Sequence, residues 1–196
     1  MTLQEKLFER NVIYMNTPNK LTIIRILLVP FFMAFALAGG TVWNIAALVI
    51  FAAASLTDYY DGKIARASGQ ITTFGKFMDP LADKMLTTAA FLVFMDIDLI
   101  SPWVVIIILL REFAVSGIRL AAAGTGEIIA ASMWGKAKTV SQMIAIILTF
   151  VLMIFSFIPY NITYILVNIA VWISTVLTII SGADYIIKNR KLLVLK

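Results

Sequence analysis

Mainly apolar stretches of about twenty residues, the length an α-helix needs to cross the hydrocarbon core of a bilayer, recur six times along this 196-residue chain. They run Leu21–Ala38, Val42–Tyr60, Phe77–Met95, Pro102–Ala122, Gly135–Ile158 and Tyr164–Ile187. Few folds are open to such a chain, because in lipid every backbone polar group must be satisfied within a helix or a closed barrel. Hydrophobic residues make up 61% of the chain and charged residues only 14%, against about 25% charged in soluble domains; the mean hydropathy is +0.96. The expectation is an all-α integral membrane protein with six transmembrane helices. Residues 1–196 show no internal repeat, low-complexity tract or second domain, so a single membrane domain is expected.

Ahead of the first stretch, Leu3, Leu7, Phe8, Val12 and Ile13 alternate with Glu5, Lys6, Glu9 and Arg10. That spacing predicts a short amphipathic helix over residues 1–14, lying in the membrane interface. Met15-Asn16-Thr17-Pro18-Asn19 then breaks it, and residues 21–187 form the bundle. The first stretch lacks the basic start and small-residue site of a cleavable signal peptide and is read as a retained span.

Lysine and arginine fix the orientation. The connections near Gly39–Thr41, Asp96–Ser101 and Pro159–Asn161 carry neither. Basic residues instead populate the N-terminus, the second-to-third connection (Lys63, Arg66, Lys76), the fourth-to-fifth region (Arg119, Lys136, Lys138) and the tail. Arg25, Lys84 and Arg111 lie inside spans toward the same side. The positive-inside rule places that side, both termini and any site on it in the cytoplasm of a multi-pass cell-membrane protein. Trp43, Trp103, Tyr160 and Tyr164 sit where the opposite interfacial belt belongs. The net charge of +5 therefore reads as topology and contact with anionic lipid headgroups, not nucleic-acid binding.

The chain has no cysteine and no histidine. Disulfides, thiolate chemistry, zinc or iron–sulfur sites and a histidine base are excluded. Acid–base work falls to Asp, Glu, Lys or Tyr, and any metal must be hard and oxygen-bound.

Aspartates at membrane depth are functional candidates by default, since each is costly there. Asp58 and Asp61 end the second span, three apart; Asp79 and Asp83 begin the third, four apart. Each pair shares a helix face, and consecutive antiparallel helices bring the pairs together. Four such carboxylates share protons, pair with Lys or Arg, or bind divalent cations. The last accounts best for their type and number, with Mg²⁺ or Mn²⁺ the fitting ions. Four aspartates suit one ion or two, and two suit displacement at phosphorus. Gly62, Ala65 and Gly75 are small beside them, and Arg66 follows one turn on, able to fork onto phosphate oxygens.

Written out, Asp58-x2-Asp61-Gly62-x2-Ala65-Arg66-x8-Gly75-x3-Asp79-x3-Asp83 resembles the signature of the CDP-alcohol phosphotransferase family of membrane enzymes, with no position missing. The resemblance implies a CDP-diacylglycerol donor, an alcohol acceptor, release of CMP, two divalent ions and a homodimer. It implies that Asp58, Asp61 and Asp79 are principal metal ligands, with Asp83 serving the second ion or acting as base. Asp58, Asp61, Gly62, Ala65, Arg66 and Gly75 would bind the CDP moiety. Pro18-Asn19-Lys20-Leu21-Thr22-x2-Arg25, Arg111-Glu112-Phe113 with Ser116-Gly117-x-Arg119, and Gly135-Lys136-x-Lys138-Thr139 look like the branch whose acceptor is sn-glycerol 3-phosphate.

The acceptor hydroxyl must lose a proton as it attacks, and a carboxylate is the natural base in a chain without histidine. A carboxylate fully engaged by metal is a poor base, so Asp83, last in the row, is the candidate. Thr22, Arg25, Arg111, Arg119, Lys136 and Lys138 suit a phosphorylated acceptor. An inositol phosphate or phosphatidylglycerol is the alternative acceptor. Outside the enzyme class stand a divalent-cation transporter and a non-catalytic lipid-binding scaffold. The first is disfavoured because the later spans lack acidic residues along a path. The second would survive replacement of the aspartates by asparagine.

Overall fold

The structure is a computed structural model. It describes residues 17–68, 73–124 and 132–190, with the side chains of these except 17–19, 58–68, 73–77, 79, 80, 83, 121, 123 and 124. The expected interfacial helix over residues 1–14, and Glu127, lie outside the described residues. Those described form six α-helices: α1 Thr17–Ala38, α2 Thr41–Ser68, α3 Thr73–Asp96, α4 Pro102–Gly124, α5 Met133–Ile154 and α6 Tyr160–Lys188.

Local chemistry sets the ends. Between α1 and α2 the chain reverses through Gly39 and Gly40, at φ 68° and 84°, backbone that glycine alone adopts freely. Pro102 opens α4, where a missing N–H costs nothing. Ser132 caps α5 by accepting from the Gly135 N–H at 3.1 Å. Hydropathy carried the fifth span on to Ile158, yet α5 stops at Ile154. Pro159 disfavours helix in the residue before it, and α6 starts directly after it rather than at Tyr164. In the other direction, α2 outruns its apolar stretch from Tyr60 to Ser68, and α3 starts at Thr73, ahead of Phe77.

The helices form one bundle. α1 lies against both α2 and α3, α5 lies between α2 and α6, and α4 packs on α6 and α3. α2 and α3, consecutive in sequence, touch only lightly, because α1 packs against both. The connections free of Lys and Arg gather at one end. There the Thr41 hydroxyl donates to the Ile154 carbonyl at 3.5 Å, and the Asn168 amide donates to the Leu99 carbonyl at 2.9 Å. Trp43, Trp103, Tyr160 and Tyr164 are exposed at that end.

Just inside it, four helices lock through aromatic rings. Phe32 of α1 meets Phe51 of α2 at 5.9 Å and Phe150 of α5 at 5.7 Å, and Phe94 of α3 meets Phe150 at 5.2 Å. All four are fully buried, at tilted or edge-on angles that suit aromatic quadrupoles. Beyond them the interior turns polar, with Thr22, Arg25, Glu112, Lys138, Gln142, Thr178 and Ser181 buried.

Among the described residues, the helices from Lys20, Met133 and Tyr160 are long and apolar enough to cross a membrane. The apolar run of α2 over Thr41–Thr57 is shorter. α3 and α4 carry Lys84 and Arg111–Glu112 within their length, which separates them from a purely hydrophobic span.

Candidate active site

Two helices carry the aspartate signature. Asp58, Asp61, Gly62, Ala65 and Arg66 lie on α2, and Gly75, Asp79 and Asp83 on α3. At about 1.5 Å per residue, Asp58 and Asp61 stand roughly 25–30 Å along α2 from the basic-free end, and Asp79 and Asp83 roughly 20–26 Å along α3. Both pairs therefore share one level of the bundle. Their side chains lie outside the described residues. As a donor set they are all hard carboxylates, the chemistry that Mg²⁺ or Mn²⁺ asks for.

Directly after Asp83, Lys84 reaches across to α4. Its ammonium donates to the Ser116 hydroxyl and lies 3.9 Å from Glu112. Glu112, 8% exposed, is the hub of a charged cluster drawn from three helices. It accepts from the Lys138 ammonium of α5 and from Arg111 at 3.3 Å. Arg111 turns its other terminal nitrogen to the Ser181 hydroxyl of α6, at 2.5 Å. Among the described residues three cations thus gather on Glu112, with Arg111 and Lys138 largely buried and Lys84 about 30% exposed. A buried charge is tolerated only when paired or ligand-bound, so the cluster suits an anionic guest.

Small residues make room for this. A Cβ added at Gly182 would lie 2.9 Å from Arg111 Cγ, so the arginine stem runs over the bare backbone of α6. At Gly135 an added Cβ would lie 3.5 Å from Ser132 Oγ and 3.9 Å from both Arg111 Nη2 and Ser181 Oγ. A polar cradle opens there at the start of α5, where helix N–H groups favour anions.

Of the cations expected at the acceptor, Arg111 and Lys138 come together in this cluster. Arg25 and Thr22 are buried on α1, at 2% and 1% exposure. Lys136 and Arg119 are exposed. Asp184 pairs with exposed Lys188 one turn on, at 2.7 Å. Sequence reasoning did not find Lys84, Ser181, Gly182 and Tyr185 as neighbours of the cluster. The signal was partial: a Ser-Gly pair and a tyrosine among the polar residues scattered along an apolar helix.

The chain belongs to the CDP-alcohol phosphatidyltransferase family, whose model matches residues 15–180. The family generally uses divalent metal ions. A Bacillus subtilis relative named CDP-diacylglycerol–glycerol-3-phosphate 3-phosphatidyltransferase is 41% identical over 89% of this chain and 95% of its own. A Mycobacterium tuberculosis relative named probable phosphatidylglycerophosphate synthase is 38% identical, covering 87% of this chain and 80% of its own. An Escherichia coli relative bearing the same name as the B. subtilis protein is 38% identical over 67% of this chain and 74% of its own.

Proposed function

We propose that this protein transfers the phosphatidyl group of CDP-diacylglycerol to sn-glycerol 3-phosphate, giving phosphatidylglycerophosphate and CMP. The observation that carries this reading is the likeness, along nearly the whole chain, to relatives bearing that activity's name. The cluster of Lys84, Arg111 and Lys138 around Glu112 supports a phosphorylated acceptor over a neutral one.

In the proposed reaction the acceptor hydroxyl oxygen attacks the phosphorus bonded to diacylglycerol. The bond from that phosphorus to the CMP oxygen breaks, CMP departs, and the hydroxyl proton passes to the Asp83 carboxylate. Two Mg²⁺ or Mn²⁺ ions, held chiefly by Asp58, Asp61 and Asp79 so that Asp83 is left able to take the proton, would polarise phosphoryl oxygens and offset the charge of the leaving group. Gly62, Ala65 and Gly75 leave the donor's cytidine and pyrophosphate room to approach, and Arg66 forks onto a phosphate. Arg111, Lys138, Arg25 and Thr22, with exposed Arg119 and Lys136 at the rim, hold the acceptor's phosphate so that its hydroxyl faces the phosphorus.

The reading includes a single domain crossing the membrane six times, an N-terminal interfacial helix, a homodimer, and both termini with the site facing the cytoplasm. The absence of native cysteine makes topology testable. Cysteine placed at Ser156, exposed at the basic-free end, should react with a membrane-impermeant thiol reagent in intact cells; cysteine at Lys188 should react only after permeabilisation. The reverse pattern sinks the orientation.

Activity is tested with purified protein, CDP-diacylglycerol and Mg²⁺, by following CMP release. Release should require glycerol 3-phosphate and stop with a chelator. Release only with an inositol phosphate or phosphatidylglycerol would overturn the acceptor. No release from folded protein, with divalent-ion flux in liposomes, would favour transport.

A further inference from the structure

Buried hydroxyls in this bundle mostly look after themselves. Thr149, Thr175 and Thr178 each donate to the carbonyl one turn back on their own helix, at 2.8 Å, the local solution open to short side chains in lipid. Ser174 can reach the same kind of carbonyl by rotating about one bond. Tyr185 cannot, because its hydroxyl stands a ring's length from its own backbone. The residue is 4% exposed, and its buried hydroxyl has no hydrogen-bond partner among the described residues. A phenylalanine would fill the same space without that cost.

What surrounds the hydroxyl points to what it meets. Ser181, one turn earlier on α6, holds Arg111, whose stem runs over Gly182. Arg111 Nε is likewise buried without a partner among the described residues. Arg111 and Arg119 both act electrostatically on Tyr185. Arg119, two turns beyond Arg111 on α4, is exposed. Two of the unused groups are donors, the Tyr185 O–H and the Arg111 Nε–H, while Asp184 Oδ2 on the next residue, also without a partner among the described residues, belongs to a carboxylate that already pairs with Lys188. One guest that satisfies several donors at once is an anion with several oxygens, and phosphate fits. α6 packs chiefly on α4 and α5, whereas the signature that would take CDP lies on α2 and α3.

We infer that Tyr185 is a binding residue for the acceptor's phosphate, its hydroxyl donating to a phosphate oxygen beside Arg111 and Arg119. This rests on the proposed transfer to glycerol 3-phosphate.

Tyr185→Phe removes one oxygen atom and nothing else. In full-length purified protein with Mg²⁺, its KM for glycerol 3-phosphate should rise about ten- to hundredfold, the range for one hydrogen bond to a charged group. The bond is made away from the reacting atoms, so kcat should hold. The KM for CDP-diacylglycerol and the melting temperature should also hold, since the hydroxyl has no partner to lose among the described residues. An unchanged KM for glycerol 3-phosphate overturns the inference. So does a rise confined to CDP-diacylglycerol, or a lower melting temperature with equal loss toward both substrates. The wild-type protein in the same assay separates the two levels. If it releases CMP without needing glycerol 3-phosphate, the reading of the reaction fails first; if it needs glycerol 3-phosphate and Tyr185→Phe does not differ, only the role of Tyr185 fails.

Discussion

Toward the basic-free end, α1, α2, α3 and α5 meet ring to ring through Phe32, Phe51, Phe94 and Phe150. Farther along the same bundle, α1 buries Arg25 while α3, α4 and α5 converge through Lys84, Glu112 and Lys138. The two halves have opposite requirements. The aromatic half has only shape to satisfy, and lipid tails would solvate its rings almost as well, so packing alone holds it. The polar half has charge to satisfy, and every group there needs a partner or a guest. The first can be rigid and complete on its own. The second, where Lys84, Arg111 and Lys138 gather on Glu112 among the described residues, would be completed by substrate under the proposed reaction. Perturbing the aromatic half should cost stability and spare turnover of the folded protein. Perturbing the polar half should cost activity, with stability following only where a buried partner is stranded.

The largest effect should come from the proposed metal ligands. Asp61→Asn or Asp79→Asn should cut CMP release at least about a thousandfold, since several kcal/mol of charge stabilisation at phosphorus would be lost. The melting temperature should not fall, because one of four mutually repelling carboxylates is removed. A variant that kept a tenth of the activity would take the aspartates out of the chemistry.

Next comes Glu112→Gln. It strands Lys138 and part of Arg111 in the interior, and removing one partner of a buried pair costs about 3–5 kcal/mol. Thermal denaturation in detergent should register that loss. The KM for glycerol 3-phosphate should also change, because the cations lose the group that orients them. A variant as stable as wild type would show that water reaches the cluster freely, and the contrast between the halves would weaken.

Phe150→Ala tests the other half. It removes the ring on which Phe32 and Phe94 both rest, and about 3 kcal/mol, the low end for a buried phenylalanine, is expected. The low end applies because in lipid the packing share of that cost remains while the transfer share shrinks. Below the melting transition, kcat and both KM values should stay within about twofold, the scatter expected when no contact with substrate changes. A selective loss of activity would mean that the aromatic half positions the site.

The halves were unequally legible in the sequence. The helices and their alternation were plain, because twenty apolar residues in lipid have few alternatives. The aspartate row was plain too, since helical spacing over residues 58–83 carries it. What hydropathy hid was the pairing of distant residues. Lys84, Glu112, Lys138 and Ser181 lie on four helices, and nothing local to any one of them names the others. The partners of Glu112 emerge only when α4 lies between α3 and α6. The light contact of α2 with α3 was equally hidden. Adjacency in sequence indicated only that the two can meet, whereas α1 packs far more extensively on each than they do on one another.

The smallest effects sharpen the comparison most, because two glycines on facing helices should respond with opposite signs. Gly182→Ala places a Cβ 2.9 Å from Arg111 Cγ, so the arginine stem must shift and its terminal nitrogen must leave Ser181. Overpacking of this kind costs about 1–3 kcal/mol, and the KM for glycerol 3-phosphate should rise with it. Gly117→Ala on α4 meets nothing within 4 Å, and alanine is the better helix former by up to about 1 kcal/mol. Its melting temperature should hold or rise slightly. Both replacements add one methyl group to one helix interior, so helix propensity favours both equally. Only the seat beneath Arg111 distinguishes them. Equal behaviour of the two variants would show that Arg111 does not depend on Gly182 for its position, and the polar half would then owe its geometry to Glu112 alone.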